Sequence, residues 1–134
     1  MATQVKKILV IDDEKDFVTT IKYFLEMNGY EVTVAYDGIT ALEKVKKLSN
    51  LNLILLDIGI PGIDGFEVLR RLRINPATKR IPIIMLSCRT DTPSIFAAKG
   101  LKATDYIIKT MEFEKMLPIL KRHLDKDKIK PIDI

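Results

Sequence analysis

The chain has few of the residues that most metal centres and disulfide scaffolds need. Its 134 residues include one cysteine, Cys88, and one histidine, His123. A single cysteine excludes a disulfide within the chain, and this scarcity of nitrogen and sulfur ligands excludes an ordinary zinc site. We therefore expect the protein to work in a reducing compartment.

Long apolar runs are also missing. No stretch approaches the roughly 18 consecutive apolar residues of a membrane span, and the opening MATQVKK has no apolar signal core. We therefore expect a cytoplasmic protein with no membrane partner. With 47% hydrophobic and 30% charged residues, the composition is that of a globular chain long enough for one domain but not two.

The excess of positive charge is concentrated in one place. The formal net charge is +4, and residues 121–134 contribute five Lys or Arg against three Asp, which is half of that excess. This distribution indicates a basic tail rather than a basic surface on the folded domain. We therefore expect no direct nucleic-acid binding by this chain alone.

Short aliphatic runs alternate with longer amphipathic segments along the whole chain. The predicted strands are 7–11, 30–35, 51–56, 81–86 and 105–108. Most of them are almost continuously apolar, which indicates strands covered on both faces. Between and after them apolar residues recur at helical spacing, and Thr92-Pro93 opens a weaker fourth helix. Five strands alternating with five helices predict an α/β fold with a parallel sheet wound on both faces.

Polar residues follow four of the predicted strands at their carboxyl ends. Asp12 and Asp13 follow the first strand, and Asp57 follows the third. Ser87 follows the fourth and Lys109 the fifth. If the first and third strands are neighbours, as in the 2-1-3-4-5 winding, the three aspartates face one another at the edge where such folds bind ligands. Like charges this close need a cation, and few oxygen ligands with open positions favour Mg²⁺.

These residue types also suggest a chemistry. With Mg²⁺ bound, Asp57 stays ionised and can attack phosphorus as a nucleophile, which gives an aspartyl phosphate. Mg²⁺ and Lys109 would neutralise phosphoryl oxygens, and the Ser87 hydroxyl would donate a hydrogen bond to another. Taken singly, each residue has an ordinary explanation as a helix cap, a turn residue or a solvated lysine. Their shared position at strand ends favours a site.

Four segments resemble the response-regulator receiver domains of two-component signalling: ILVIDDE, LILLDIGIPGIDGFEVLRRLR, NPATKRIPIIMLS and TDYIIK. The resemblance runs from about Lys6 to Leu124. It implies a flavodoxin-like, three-layer (βα)5 fold with a five-stranded parallel sheet in the order 2-1-3-4-5. It also implies that Asp57 accepts a phosphoryl group from a histidine kinase or a histidine phosphotransfer protein. The receiver domain would span 1–124, with 125–134 as a tail or the start of a linker.

The resemblance also implies roles for the other site residues. The ligands of the Mg²⁺ cofactor would be Asp12, Asp13, Asp57 and the backbone carbonyl of Gly59. Lys109 and Ser87 would contact the phosphoryl group on Asp57. Ser87 and Tyr106 would form a switch that rearranges a partner-binding face after phosphorylation.

Such a domain is a phosphoacceptor that promotes its own phosphorylation and dephosphorylation, rather than an enzyme. Its further partners would be a downstream effector protein or a fused output domain, and it would be a monomer or a phosphorylation-dependent dimer. Two alternatives stay open. One is a receiver-like interaction domain that works without phosphorylation, for which Thr110 and Cys88 argue. The other is a Mg²⁺-dependent phosphatase with an aspartate nucleophile, against which Gly59 argues because such enzymes usually place a second acid there.

Some positions depart from the receiver pattern. Thr110 stands where most receivers have a proline after a cis bond, and a cis bond before another residue type costs about 3–4 kcal/mol. We therefore expect a trans bond, a rebuilt loop and a Lys109 that reaches the site less well. We expect Cys88 to be a small buried hydrophobic residue. Gly100 and Lys102 predict a fourth helix that ends early.

Overall fold

The computed structural model describes residues 4–125. The strands are β1 (Lys7–Ile11), β2 (Glu31–Ala35), β3 (Leu51–Leu56), β4 (Ile83–Ser87) and β5 (Asp105–Ile108). The helices are α1 (Lys15–Met27), α2 (Gly38–Lys47), α3 (Gly65–Ile74), α4 (Thr92–Gly100) and α5 (Phe113–Leu124). Within the described range, no helix has both the length and the apolar character needed to cross a lipid bilayer. Apart from its first residue, the predicted tail or linker lies outside the described residues.

The sheet has the predicted topology. All neighbouring strands run parallel, and their order is β2-β1-β3-β4-β5. β1 and β3 are adjacent, and Ile11 at the end of β1 pairs with Leu56 at the end of β3. The winding direction reverses between these two strands, which is where ligands bind in such folds. The residues that follow Ile11 and Leu56 therefore lie side by side at the carboxyl edge of the sheet.

Helices cover both faces of the sheet, which gives three layers. In β1, Leu9 and Ile11 pack into the core under α2, α3 and α4, whereas Ile8 and Val10 pack into the core under α1 and α5. All four side chains are fully buried. Successive residues of a strand point to opposite faces. A strand covered on both faces is therefore apolar at every position, as the sequence indicates.

Two details of the predicted boundaries can be compared with the structure. β4 begins at Ile83 rather than at residue 81, after Pro82, which has no N–H to donate to a neighbouring strand. The fourth helix ends at Gly100, and Lys102 follows with a φ of 68°. That this end is early stays a prediction. This left-handed conformation is uncommon outside glycine. Arg73 stabilises the turn, since its Nε donates to the Lys102 carbonyl at 2.8 Å.

Candidate functional site

Three aspartates meet at the carboxyl edge where β1 and β3 end. Asp12 and Asp13 follow β1, and Asp57 follows β3. One carboxylate oxygen from each lies within 4.8 Å of the other two. Hydrogen bonds of the sheet continue through the first and last of them: the Asp12 N–H donates to the Ala35 carbonyl at 3.0 Å, and the Asp57 N–H donates to the Ile11 carbonyl at 2.9 Å. The sheet itself therefore fixes these two backbones.

Two of the three carboxylates are taken out of water. Asp12 is 1% exposed and Asp57 is 8% exposed, whereas Asp13 is exposed. Burial, which disfavours a charged carboxylate, is the main reason that the pKa of Asp12 and the pKa of Asp57 are both raised. The ammonium of Lys109 and nearby backbone N–H groups offset this effect only in part. The two buried acids thus need more positive charge than the protein supplies.

The donors in this cluster fit a divalent cation. Oδ2 of Asp12 is buried and accepts no hydrogen bond from the described residues, although Lys109 Nζ lies 2.7 Å away as an ion-pair partner. The cluster offers carboxylate oxygens only, from Asp12, Asp13 and Asp57. Mg²⁺ prefers such hard oxygen ligands and keeps several waters of its own. These three residues could therefore hold Mg²⁺.

Lys109 extends from the end of β5 into the acids. Its Nζ lies 2.6 Å from Oε1 of Glu14 and 2.7 Å from Oδ2 of Asp12, and it lies 3.5 Å from Oδ2 of Asp57. The side chain is 5% exposed, and Nζ sits 4.7 Å from the centre of the Phe17 ring. Burial by itself would lower the pKa of Lys109, but its close contacts with the carboxylates of Asp12 and Glu14 raise that pKa above its ordinary value. The ammonium therefore stays charged at neutral pH.

Lys109 reaches the acids of the site, with Nζ 3.5 Å from Oδ2 of Asp57. That it does so less well than in other receivers stays a prediction. No cis peptide bond occurs in the described part of the chain, so the bond to Thr110 is trans, as predicted. The lysine is positioned by the sheet instead, because its backbone N–H donates to the Ser87 carbonyl at 2.9 Å and so extends the pairing of β5 with β4. Because this hydrogen bond holds the Lys109 backbone, the trans bond between Lys109 and Thr110 does not displace the base of the lysine side chain.

Ser87 and Tyr106 lie on neighbouring strands, β4 and β5, and are connected through one backbone segment. Ser87 is 2% exposed, and its Oγ accepts a hydrogen bond from the Arg89 N–H at 3.1 Å. The half-buried Tyr106 donates its hydroxyl proton to the Arg89 carbonyl at 2.9 Å. Burial raises the pKa of Tyr106, so the hydroxyl stays protonated. The two residues predicted as a switch thus both contact Arg89.

In the loop after Asp57, Gly59 is exposed, and its N–H helps to offset the raised pKa of the Asp57 carboxylate. Its proposed role as a carbonyl ligand remains a prediction. A glycine that the sequence reasoning did not single out is Gly65, the first residue of α3. A Cβ on Gly65 would overlap the carbonyl oxygen of Asp57, so glycine is what lets α3 begin against the end of β3.

Two other side chains differ from the sequence reasoning. Cys88 is exposed, so the expectation of a buried hydrophobic residue was wrong. β4 ends at Ser87, and the chain leaves the sheet at the next residue, where the burial pattern of the strand no longer applies. Glu14 was not assigned a role, although it is the third acid of the run that begins at Asp12 and contacts Lys109 directly.

The comparisons with known proteins agree with this geometry. A family model described as the response regulator receiver domain matches residues 8–121. The chain is 40% identical over 112 residues to the response regulator ArlR of Staphylococcus saprophyticus. That match covers 83% of this chain and 49% of ArlR, so the chain spans about half the length of this relative.

Solved structures of the same kind superimpose on the fold. The BeF3-activated N-terminal receiver domain of RstA from Klebsiella pneumoniae gives a TM-score of 0.83 at 30% identity, covering 89% of this chain and 98% of that one. The phosphorylated cyanobacterial phytochrome response regulator RcpA gives a TM-score of 0.79 at 30% identity, covering 91% and 93%. These matches confirm the resemblance in the sequence: the chain belongs to the response regulator receiver domain family of two-component systems.

Proposed function

We propose that Asp57 accepts a phosphoryl group, with Mg²⁺ bound, from a histidine kinase or a histidine phosphotransfer protein. The observation that carries this proposal is the position of Asp57, whose carboxylate shares one pocket with Asp12, Asp13 and the Lys109 ammonium. Two similar proteins support it, since RcpA is described as phosphorylated and the RstA domain as BeF3-activated. Thr110 argued for a domain that works without phosphate, but it does not remove the lysine from the site.

In the proposed reaction, an oxygen of the Asp57 carboxylate attacks the phosphorus of a phosphohistidine. A P–O bond forms and the P–N bond breaks, and the imidazole nitrogen keeps the electron pair and takes a proton from solvent. The attack requires an ionised carboxylate. Lys109, at 3.5 Å, favours that ionised form. Bound Mg²⁺ would further neutralise the acids and the phosphoryl oxygens.

The other side chains would hold the transferred group. The Lys109 ammonium would pair with one phosphoryl oxygen in a charge-assisted hydrogen bond. Ser87 would donate to another, because its Oγ acts as acceptor toward the Arg89 N–H and its own proton is not used in that bond. Movement of Ser87 would then alter the segment at Arg89 that Tyr106 also contacts. We propose this connection as the path from phosphorylation to a partner-binding face.

The partners of the whole protein are part of the same proposal. A histidine kinase or phosphotransfer protein would supply the phosphoryl group in the cytoplasm, and an effector protein or a fused output domain would respond to it. ArlR is about twice as long as the matched region, which leaves room for a further domain, and the receiver domain of RstA is described as N-terminal, which supports an output domain after the receiver. In that arrangement residues 1–124 are the receiver, 125–134 begin the linker, and the domain is a monomer that can dimerise when phosphorylated.

Intact-mass measurement after incubation with Mg²⁺ and acetyl phosphate tests the proposal. The wild type should gain the mass of one phosphoryl group, and it should not do so when EDTA removes the metal. Asp57→Asn should gain none. Asp37→Asn, which changes an aspartate that caps α2 at the same edge of the sheet, is the matched control and should still be phosphorylated. A wild type without the adduct, or an equal adduct on Asp57→Asn, would contradict the proposal.

A further inference from the structure

Glu14 lies closer to the Lys109 ammonium than the proposed phosphoacceptor does. Its Oε1 is 2.6 Å from Nζ, whereas Oδ2 of Asp57 is 3.5 Å away. The Glu14 side chain is 62% exposed, so it approaches the ammonium from the solvent side. Glu14 also does not belong to the cluster of acids that could hold a metal among the described residues. Its carboxylate therefore has the lysine as its partner.

Glu14 occupies a capping position but does not cap. It is the N-cap residue of α1, and its side chain makes no hydrogen bond to that helix. The aspartates at the N-caps of α2, α3 and α4 do the opposite, since Asp37, Asp64 and Asp91 each accept a backbone N–H from the first turn. Such a bond satisfies one of the free donors at a helix start. Glu112, the N-cap residue of α5, makes no side-chain cap bond either, so a carboxylate that does not cap its helix is common to both glutamates. The carboxylate of Glu14 contacts Lys109.

The backbones on both sides of this contact are fixed. The Glu14 N–H donates to Oδ1 of Asp12 at 2.9 Å, and its carbonyl accepts from the Val18 N–H at 2.9 Å. The Lys109 N–H donates to the Ser87 carbonyl at 2.9 Å, and its ammonium lies over the ring of Phe17. The contact between Glu14 and Lys109 can therefore change through side-chain movement alone.

We propose that Glu14 is a positioning residue that holds Lys109 away from the phosphoryl position until the phosphoryl group arrives. The inference rests on the proposed function. A phosphoryl group on Asp57 must project toward solvent, because Asp12 and the sheet close the other side. Glu14 lies on that solvent side. When Asp57 is phosphorylated, Lys109 must therefore exchange the Glu14 carboxylate for a phosphoryl oxygen. The contact between Glu14 and Lys109 thus stabilises the unphosphorylated state relative to the phosphorylated state.

Equilibrium binding of beryllofluoride, a non-covalent mimic of the phosphoryl group, measures this competition. With Mg²⁺ saturating and ¹⁹F NMR as the readout, Glu14→Gln should bind beryllofluoride about two- to fivefold more tightly, as expected for loss of an exposed ion pair. Glu14→Asp keeps the charge but is one methylene shorter, so it should show a similar gain. Asp16→Asn, which removes an exposed acid from the first turn of α1, should bind like the wild type.

The Lys109 side chain supplies a second readout in the metal-free protein. Its Cε and Nζ NMR signals should shift in Glu14→Gln and in Glu14→Asp, and they should not shift in Asp16→Asn. If Glu14→Gln gains affinity while Glu14→Asp binds like the wild type, net charge is the cause and the positioning role is overturned. Wild-type binding with no change in either Glu14 variant overturns it as well. Failure of every protein, wild type included, to bind beryllofluoride overturns the proposed function itself.

Discussion

Two pairs of aspartates lie near the carboxyl ends of strands in this molecule, and they behave in opposite ways. Asp12 and Asp57 follow β1 and β3, are buried, and have a raised pKa because burial disfavours their charge. Asp37 and Asp91 follow β2 and β4 at the starts of helices, where Asp37 is half-buried and Asp91 is exposed. Both have a lowered pKa because the helices donate hydrogen bonds to them. The residue type and the edge of the sheet are the same in both pairs.

The supply of hydrogen-bond donors makes the difference. Asp37 accepts bonds from the N–H and the hydroxyl of Thr40, at 2.7 and 2.9 Å. Oδ2 of Asp12 accepts no hydrogen bond from the described residues, and the groups around Asp57 do not offset its burial. A carboxylate at a strand end is therefore a cap where the helix supplies donors. Where donors are few, it is suited to bind a cation or to act as a nucleophile.

Removing the lysine from the buried pair should have the largest effect. Lys109→Met keeps the length of the side chain but leaves Asp12 and Asp57 buried without an opposite charge from the protein. We expect the free energy of unfolding at neutral pH, in EDTA, to fall by about 3 kcal/mol in urea unfolding experiments. Lys99→Met, on the exposed surface of α4, should change it by less than about 0.5 kcal/mol. If Lys109→Met lowers the free energy of unfolding by no more than Lys99→Met does, the contrast between the buried and the capping aspartates is contradicted.

Neutralising a buried acid should have a smaller effect of opposite sign. We expect Asp57→Asn to raise the free energy of unfolding in EDTA at neutral pH by about 1 kcal/mol, because a desolvated charge is removed. The folded pKa of Asp57 is raised above the ordinary value of 3.8, so the wild type is favoured below that value and loses stability as pH rises through the folded pKa. The advantage of the variant should therefore grow with pH across that window in urea titrations.

Removing a capping aspartate should have the smallest effect and the opposite pH dependence. The pKa of Asp91 is lowered by hydrogen bonds from Ser94, so its contribution is present above the ordinary value of 3.8 and is lost as pH falls through the folded pKa. We expect Asp91→Ala to lower the thermal midpoint slightly at neutral pH and to match the wild type in acid. Equal pH slopes for Asp57→Asn and Asp91→Ala would break the comparison.

The topology explains which parts of the site could be predicted from the sequence. Asp12, Asp13, Asp57 and Lys109 could be placed together because parallel strands end at one edge and β1 is adjacent to β3. Apolar runs identify the strands, and the position of a strand in the sheet fixes the position of the residue that follows it. α4 ends at Gly100, the glycine that indicated a helix boundary in the sequence.

The directions of side chains beyond the last sheet hydrogen bond could not be predicted in the same way. Cys88 follows β4 directly, but the chain turns there, and the side chain is exposed. Glu14 has the sequence position of a helix cap, and its preference for Lys109 depends on how close β5 brings the ammonium. The reach of Lys109 itself depends on its backbone bond to Ser87 rather than on the residue that follows it.

A carboxyl-carbon NMR titration of the metal-free wild type tests the contrast between the two pairs most directly. We predict that Asp12 and Asp57 titrate above the ordinary aspartate value of 3.8, and that Asp37 and Asp91 titrate below it. If Asp12 and Asp57 instead titrate together with Asp37 and Asp91, their burial does not set them apart, and the physical basis for a cation and phosphoryl site at this edge is contradicted.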